Sequence, residues 1–512
     1  MSSSSTTGTT TVPNKEYEPP NIWVERFKYF YSTIIVNLLV VVACISIANQ
    51  YCILKIHPVA LFILLIIALT WLAYIEGLHY SVVCLEKRDM SSYTEMYPLA
   101  CQNHAKVNTT EKVKKFLVGR QFFVIFVVFL IAQITSFPDI PKDFGGMPEA
   151  LVTVLFQTGL PGIAIVLTYG QLLSQLYAEQ YVMSFSNLLG CNFVTNVCLG
   201  AEYIGICHFS HLLFQTAARL CCGSVRKAEQ TMTDDGLIDK KLQEHAEEGG
   251  NARFEYVVAE PFVVEEVTAF DLFRYVWSTF VTLFSVTIIM YGIGAEHYVL
   301  AVSNAAAYFI FFGMVTLLFY LEGLMIAIVA IQYYDRESFK EAYPRTYMLH
   351  ELVTRPENVQ RFIIGRQFCT VLTNFLLAQC TVFANWSSDG FDPSLFWLCV
   401  KSGLVGVLTV LAFGQLLPEL LAAQYPLRFL DMYGCYSIVY ISLFFDWIGV
   451  GHCAWFVHYS FDALTGKADA DESEFIHEKP TVKRVISPEL LAQSGSMIGD
   501  YETKASGTAA VK

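Results

Sequence analysis

The chain is expected to fold as an all-α polytopic membrane protein of ten transmembrane helices, arranged as two five-helix repeats. Three observations carry this expectation. Of 512 residues, 54% are hydrophobic and only 15% charged, with a mean hydropathy of +0.45, far from a soluble domain of that length. Uncharged runs of about 20 residues, enough to cross a bilayer, recur along the whole chain. The second half also repeats the first in motif order.

Residues 1–28 form a Ser/Thr/Pro-rich tail without the basic and apolar stretches of a cleavable signal. Spans begin near Tyr29, Ile56, Gln121, Ala150 and Gln180 in the first repeat, 29–214, and near Tyr275, His297, Gln367, Ser394 and Met432 in the second, 271–460. The linker between them, 215–270, holds eleven acids against six bases, and 461–512 is a C-terminal tail. The formal charge of -13 resides largely in such solvated segments and argues against nucleic acid as a partner. The cysteines lie mostly inside apolar runs without paired spacing, as small core residues do. Cys221 and Cys222 are candidates for acylation.

At an offset of 246 residues Glu76 matches Glu322 in "EGL", Tyr97 matches Tyr343 in "YP", and Gly119 matches Gly365 in "GRQF". After the third span the offset becomes 244, where Gly170 matches Gly414 in "GQLL", Gly190 matches Gly434, Glu202 matches Asp446 and His208 matches His452. Five full crossings per repeat make the second repeat inverted, with a site near the midplane between repeats. The basic residues oppose this. Six Lys/Arg precede Arg120 in the second connector, six lie in the linker and five precede Arg366, and inversion puts two of these three segments outside, against the usual bias. Inversion is expected nonetheless, because the alternative needs a re-entrant or half-crossing segment in each half.

Glu76 and Glu322 fall deep within long apolar spans, where a carboxylate costs a few kcal/mol unless paired or wet. "NTTE" at Asn108 and "TRPE" at Thr354 resemble helix N-caps with glutamate at N3, twelve residues before Arg120 and Arg366. The preceding helices run about as far past their glutamates, to Arg88 and Tyr334. Equal distances from a hairpin turn mean equal depth, so Glu76 is expected to face Arg120 and Glu322 to face Arg366, with Gln121 and Gln367 as neutral donors and acceptors. Arginines that snorkel, or a pair that only joins two helices, are the structural alternatives.

In the fourth and ninth spans, Thr158, Gly159, Pro161 and Gly162, and Ser402, Gly403 and Gly406, mark places where helical hydrogen bonding breaks and freed carbonyls or amides can hold an ion or a solute oxygen. Gln171 and Gln415 follow. Close packing of small residues is the alternative. Glu202 and Asp446 are lone acids in the fifth and tenth spans and join Glu76, Glu322 and the two breaks as candidate ion-coupling groups. His208 and His211 share a helix face, but the second repeat has Trp455 at the second position, so no metal site is assigned.

With these residues in hand, the chain resembles the silicon (silicic acid) transporter family of diatoms and related algae, from about Asn21 to Tyr459. The resemblance rests on the paired E-G-x and G-R-Q signatures, the "YP" between them, the G-Q-L ends and the five-span duplication. It implies sodium-coupled uptake of orthosilicic acid, an uncharged tetrahedral molecule with four hydroxyls, across the plasma membrane, with no enzymatic activity and no cofactor beyond the coupling ion. Carboxylates, arginines and amides suit such a solute. The implied substrate set is Glu76, His79, Arg120, Gln121, Gln171, Glu322, Met325, Arg366, Gln367 and Gln415. The chain departs from the family at "EGLH" and "EGLM", where the family has E-G-x-Q, and at "YVMS" and "YPLR", where it has Cys-Met-Leu-Asp. Partners are silicic acid, sodium and the lipid bilayer, with a homo-oligomer allowed. A transporter of another small solute or a transition metal through Glu202, His208 and His211, and a non-transporting sensor of the same fold, are the competing functions. A di-iron oxygenase needs several histidine boxes, and the chain offers one H-x-x-H among eleven histidines.

Overall fold

Apolar runs that lack alternation become helices here because the bilayer leaves backbone groups no partner but each other. A computed structural model of the chain describes residues 22–85, 90, 93–221, 254–258, 268–300, 302–332, 334, 336–355, 358–383, 386–387, 392–465 and 482–486. The first half contains α1 (Ile22–Ala48), α2 (Pro58–Leu85), α3 (Pro98–Lys106), α4 (Thr110–Thr135), α5 (Leu160–Ile165), α6 (Leu173–Gln180), α7 (Cys191–Ile204) and α8 (His208–Cys221). The second half repeats them as α9 (Ala269–Gly294), α10 (Asn304–Ile331), α11 (Pro344–Val353), α12 (Asn358–Thr381), α13 (Leu404–Val410), α14 (Leu417–Gln424), α15 (Cys435–Ile448) and α16 (His452–Thr465). Outside the helices, β1 (Phe254–Val258) pairs in parallel with β2 (Val482–Ile486), Phe254 opposite Val482. Among the described residues the chain is therefore helical with one short ladder between linker and tail.

Among the described residues, six helices are long and apolar enough to cross a membrane, or up to eight if the bent pairs α7/α8 (58°) and α15/α16 (49°) each count as one. The described helices thus supply six to eight candidate spans where ten were expected. The outer helices carry the lipid-facing surface: Phe27, Phe30, Leu38 and Val41 on α1 and Phe273, Val276 and Phe280 on α9 are exposed, an apolar belt that water does not tolerate. α12 is instead wrapped by protein, and buries Arg366, Gln367, Thr370, Thr373, Asn374 and Gln379.

The two halves run in the same direction, which corrects the inverted arrangement. The Leu54 amide, after α1, donates to the Gln133 carbonyl at the end of α4 (3.2 Å), and the Val299 amide, after α9, donates to the Gln379 carbonyl at the end of α12 (3.2 Å). Gln379 Nε2 also donates to Ser136 Oγ (3.1 Å), and Gln133 Nε2 to the Ser402 carbonyl (2.9 Å). The ends of α4 and α12 and both first connectors therefore meet at one end, here called the far end. Antiparallel helices of this length would hold Ser136 and Gln379 about 30 Å apart or more.

The fifth and tenth segments explain the parity. Lys106 Nζ, at the close of α3, donates to the Asn192 carbonyl in the first turn of α7 (3.2 Å), and α15 runs antiparallel to α12, Ser442 meeting Cys369 and Asp446 meeting Arg361, so α7 and α15 close toward the near end. The bend after α7 at Gly205, φ +84°, sits on Ser278 of α9, whose hydroxyl donates to the Ile206 carbonyl (2.6 Å) and accepts from the Phe209 amide (2.9 Å). Ser278 lies about three turns into α9, roughly 15 Å from its start. α8 and α16 follow at bends of 58° and 49°, and in the second half the Phe461 ring lies 5.1 Å from that of Tyr177 in α6. Two halves that run in the same direction imply an even number of passages in each. The run after Gln180 has the length of a span, but left-handed glycines at 190 and 205 interrupt it.

Smaller corrections concern caps and boundaries. α1 begins at Ile22, inside the segment assigned to the tail. Thr109, not Asn108, caps α4, accepting from the Lys112 amide, and Thr354 is the C-cap of α11. α2 and α10 end at Leu85 and Ile331, and short helices begin at the "YP" prolines. Asn187 Oδ1 and Asp431 Oδ1 accept the first amides of α3 and α11, at 2.8 Å from Leu99 and 2.8 Å from Arg345. Cys222 lies outside the described residues.

Candidate functional site

Glycines bring the helices that bear the paired charges into contact. A Cβ on Gly119 would lie 1.8 Å from the Cys198 carbonyl oxygen, and one on Gly365 would lie 1.8 Å from that of Ser442. α4 therefore seats against α7, and α12 against α15, only because the side chain is missing. Gly77 and Gly323 likewise leave room for the rings of Phe185 and Phe429. This packing fixes the depth of the charges.

Arg120 Nη1 donates to Glu76 Oε2 (3.3 Å) and Arg366 Nη1 to Glu322 Oε2 (3.1 Å). The second terminal nitrogen of each arginine donates to its neighbouring glutamine, Gln121 Oε1 and Gln367 Oε1, at 2.7 Å. All four charged residues are 3 to 6% exposed. The hairpin-depth argument holds although its caps were misplaced, because both hairpins deviate alike. Snorkelling is excluded for both arginines.

Both pairs open on one cavity of about 30 Å³, room for roughly two water-sized groups. Its wall takes in Glu76, His79, Arg120, Gln121 and Gln171 from the first half and Glu322, Met325, Arg366, Gln367 and Gln415 from the second, so the structure brings every residue of the implied substrate set together. Several polar atoms in this wall are buried without a partner: Arg120 Nε, Arg366 Nε, Gln171 Oε1, Gln415 Oε1 and Asn374 Oδ1. Such atoms are costly unless a guest satisfies them. The arginine and glutamine members form repeat-related pairs, two donors and two acceptors.

A vestibule of about 520 Å³ adjoins the cavity and shares Tyr80, Gln175 and Ile363 with it. Gln332, Thr354 and Arg355 line its mouth, and these lie past α10 and between α11 and α12, at the near end. The opposite side is sealed. Phe129 of α4 packs on the sites of Gly403 and Gly406 in the second half, and Phe375 of α12 on those of Gly159 and Gly162 in the first. Gly159 and Gly403 adopt φ +82° and +78°, and π-helical turns Thr153–Gln157 and Trp397–Lys401 precede them. The breaks expected in the fourth and ninth segments therefore exist.

The candidate ion-coupling residues do not converge. Glu76 and Glu322 face the cavity, whereas Thr158, Gly159, Ser402 and Gly403 belong to the far-end seal, with the Ser402 carbonyl taken by Gln133. Glu202 and Asp446 sit at the near-end side. Arg274 Nη2 donates to Glu202 Oε1 (3.0 Å), and Arg361 Nε to Asp446 Oδ2 (2.9 Å). His208 Nε2 is 3.8 Å from Glu202, so Arg274 occupies the carboxylate that a metal at these histidines would need.

Gln175, Thr370, Asn374 and Glu419 were missed by the sequence reading. Gln175 Nε2 donates to Glu76 Oε2 (3.0 Å), and Glu419 is its counterpart at the 244 offset. The signal was present one turn beyond each G-Q-L, as an amide in one repeat and an acid in the other.

Paired, cancelled charges around a small central cavity between two like repeats, within helices that cross a bilayer, define a multi-pass membrane transport protein. The family model described as silicon transporter matches residues 22–235 and again 266–478. The chain belongs to the silicon transporter family, with one match per repeat. No curated protein and no solved structure compared with it matches.

Proposed function

We propose that the chain carries silicic acid inward across the plasma membrane, coupled to sodium. The observation that supports this most is the repeat-related set of unpartnered atoms in the cavity. A tetrahedral tetrol has two-fold axes that divide its hydroxyls into pairs. One pair donates to Gln171 Oε1 and Gln415 Oε1, and the other accepts from Arg120 and Arg366, whose charges Glu76 and Glu322 cancel. The cancellation disfavours anions, and the donors suit oxygen.

Eight passages, with the fifth and tenth segments re-entrant, fit the contacts above. They also gather the three Lys/Arg-rich segments at the near end, which makes that end cytosolic by the positive-inside bias. The vestibule then faces the cytosol, and the 30 Å³ cavity is a contracted site whose walls part to seat a solute of four hydroxyls.

Purified chain in sealed vesicles is expected to accumulate silicic acid under an inward sodium gradient, with net positive charge moving inward, and to take up neither zinc nor trigonal boric acid comparably. Equal uptake without sodium would remove the coupling. Uptake of zinc alone would favour the metal reading.

His79 and Met325 predict unequal halves. Imidazole donates and accepts, whereas a thioether is a weak acceptor. His79→Met is expected to weaken apparent affinity for silicic acid by about 1 to 3 kcal/mol, roughly five- to 150-fold, while Met325→Gln is neutral or beneficial. Equal kinetics for His79→Met and wild type at matched expression would remove His79 from the solute path.

A further inference from the structure

The two walls of the cavity differ in a way the duplication makes measurable. Val124 and Val128 of α4 correspond to Thr370 and Asn374 of α12 at the 246 offset, and Gln175 corresponds to Glu419 at the 244 offset. Thr370 and Asn374 bring oxygen into the wall where the first half has hydrocarbon, and Glu419, just outside the lining, has a carboxylate where the first half has the Gln175 amide. Asn374 Oδ1 and Gln415 Oε1, in side chains only 2% and 1% exposed, are acceptors without a partner, and both stand in the wall with Glu322. Thr370 Oγ1 accepts from Arg366 (3.4 Å).

Charge is unequal too. Arg120 balances Glu76 and Arg366 balances Glu322. Glu419, one turn beyond Gln415, interacts electrostatically with Glu322, Arg120 and Arg366. With all three carboxylates ionised they exceed the two guanidinium groups by one formal charge, a state that burial opposes unless a cation joins it. A monovalent hard cation, which takes carboxylate and carbonyl oxygens, neutralises it; a divalent ion would leave excess positive charge beside two arginines. A bare proton has no use for the two amide oxygens.

We propose that Glu322, Asn374 and Gln415 of the second-half wall, with Glu419 one turn behind Gln415, bind the coupling sodium ion, one per chain, Gln415 Oε1 giving one lone pair to the ion and one to the solute, while the first-half wall with His79 and Gln171 takes the larger share of the solute. This deepens the transport reading above and rests on it. The two repeats have thus divided one ancestral site into an ion side and a solute side.

The test is binding of radioactive sodium to the purified full chain in detergent, with no solute added, so that it reads the ion site whatever the cargo is. Wild type is expected to bind one sodium per chain, saturably. Glu419→Gln installs the residue the first half already carries at that place, and is expected to lower sodium affinity at least tenfold. Asn374→Val, the first half's residue again, is expected to lower it as well, with both variants monodisperse and melting near wild type. Sodium binding in Glu419→Gln equal to wild type would overturn the proposal. So would a wild type that binds no sodium while a pH gradient drives its uptake, which would assign the charge to a proton. Glu419-dependent sodium binding in a chain that moves no silicic acid would leave this site standing and refute the solute instead.

Discussion

Arg120→Ala is expected to abolish silicic acid uptake, by about a hundredfold or more at matched surface expression, and Arg366→Ala to do the same. Each arginine holds a deeply buried carboxylate, at 3.3 Å and 3.1 Å, and turns an unpartnered Nε toward the cavity. Its loss removes a solute donor and leaves a glutamate uncompensated, and breaking a buried pair costs about 3 to 5 kcal/mol. Stability must fall along with transport. Glu76→Gln combined with Arg120→Gln separates the two effects: the neutral pair is expected to recover the melting temperature lost in Arg120→Ala while uptake stays absent. Wild-type uptake in Arg120→Ala, measured as initial rate in vesicles, would show that the pair is only a joint between α2 and α4.

The second large effect concerns the far-end seal. Phe129 and Phe375 are fully buried, and each closes the helix break of the opposite half. Phenylalanine to alanine in such a place costs about 3 to 5 kcal/mol, so each single variant is expected to melt earlier. The double variant Phe129→Ala/Phe375→Ala is expected to leak. Downhill silicic acid flux without sodium should rise on the order of tenfold, and sodium-driven accumulation should collapse, since a carrier open at both ends cannot hold a gradient. Accumulation unchanged in a correctly folded double variant would place the barrier elsewhere. The prediction follows from geometry: the vestibule opens at the near end, and at the far end these rings pack on Gly159, Gly162, Gly403 and Gly406.

Much of this was legible in the sequence, and the reasons are specific. The Glu/Arg pairs could be derived because register within a hairpin depends only on distances from its turn, and errors at Asn108 and Thr354 cancelled between two near-equal hairpins. The breaks at Gly159 and Gly403 were legible because each glycine follows a hydroxyl residue, Thr158 or Ser402, and precedes a second glycine three residues on, with Pro161 added in the first half. The direction of the second half was not. It depends on whether the segment after Gln180 crosses, and an apolar run reports length but not the bend that Gly205 and Ser278 impose. The charge bias already pointed the right way, since the Lys/Arg-rich segments before Arg120 and Arg366 agree only if the repeats are parallel. Glu202 and Asp446 were misjudged for a related reason. A lone acid in an apolar run looks unpaired until tertiary packing supplies Arg274 from the other half, or Arg361 from its own. Glu419 escaped notice because its charge stands where the first repeat has Gln175, and a comparison that looks for matches passes over the positions where repeats diverge.

The central claim is that both halves build one site. Equilibrium binding of labelled silicic acid to the purified chain, in saturating sodium, tests it most directly. One molecule bound per chain, lost alike in Arg120→Ala and in Arg366→Ala, is the expected result. Two molecules per chain, with each variant losing only one, would show that the repeats carry separate sites and that the shared cavity is not where the solute sits.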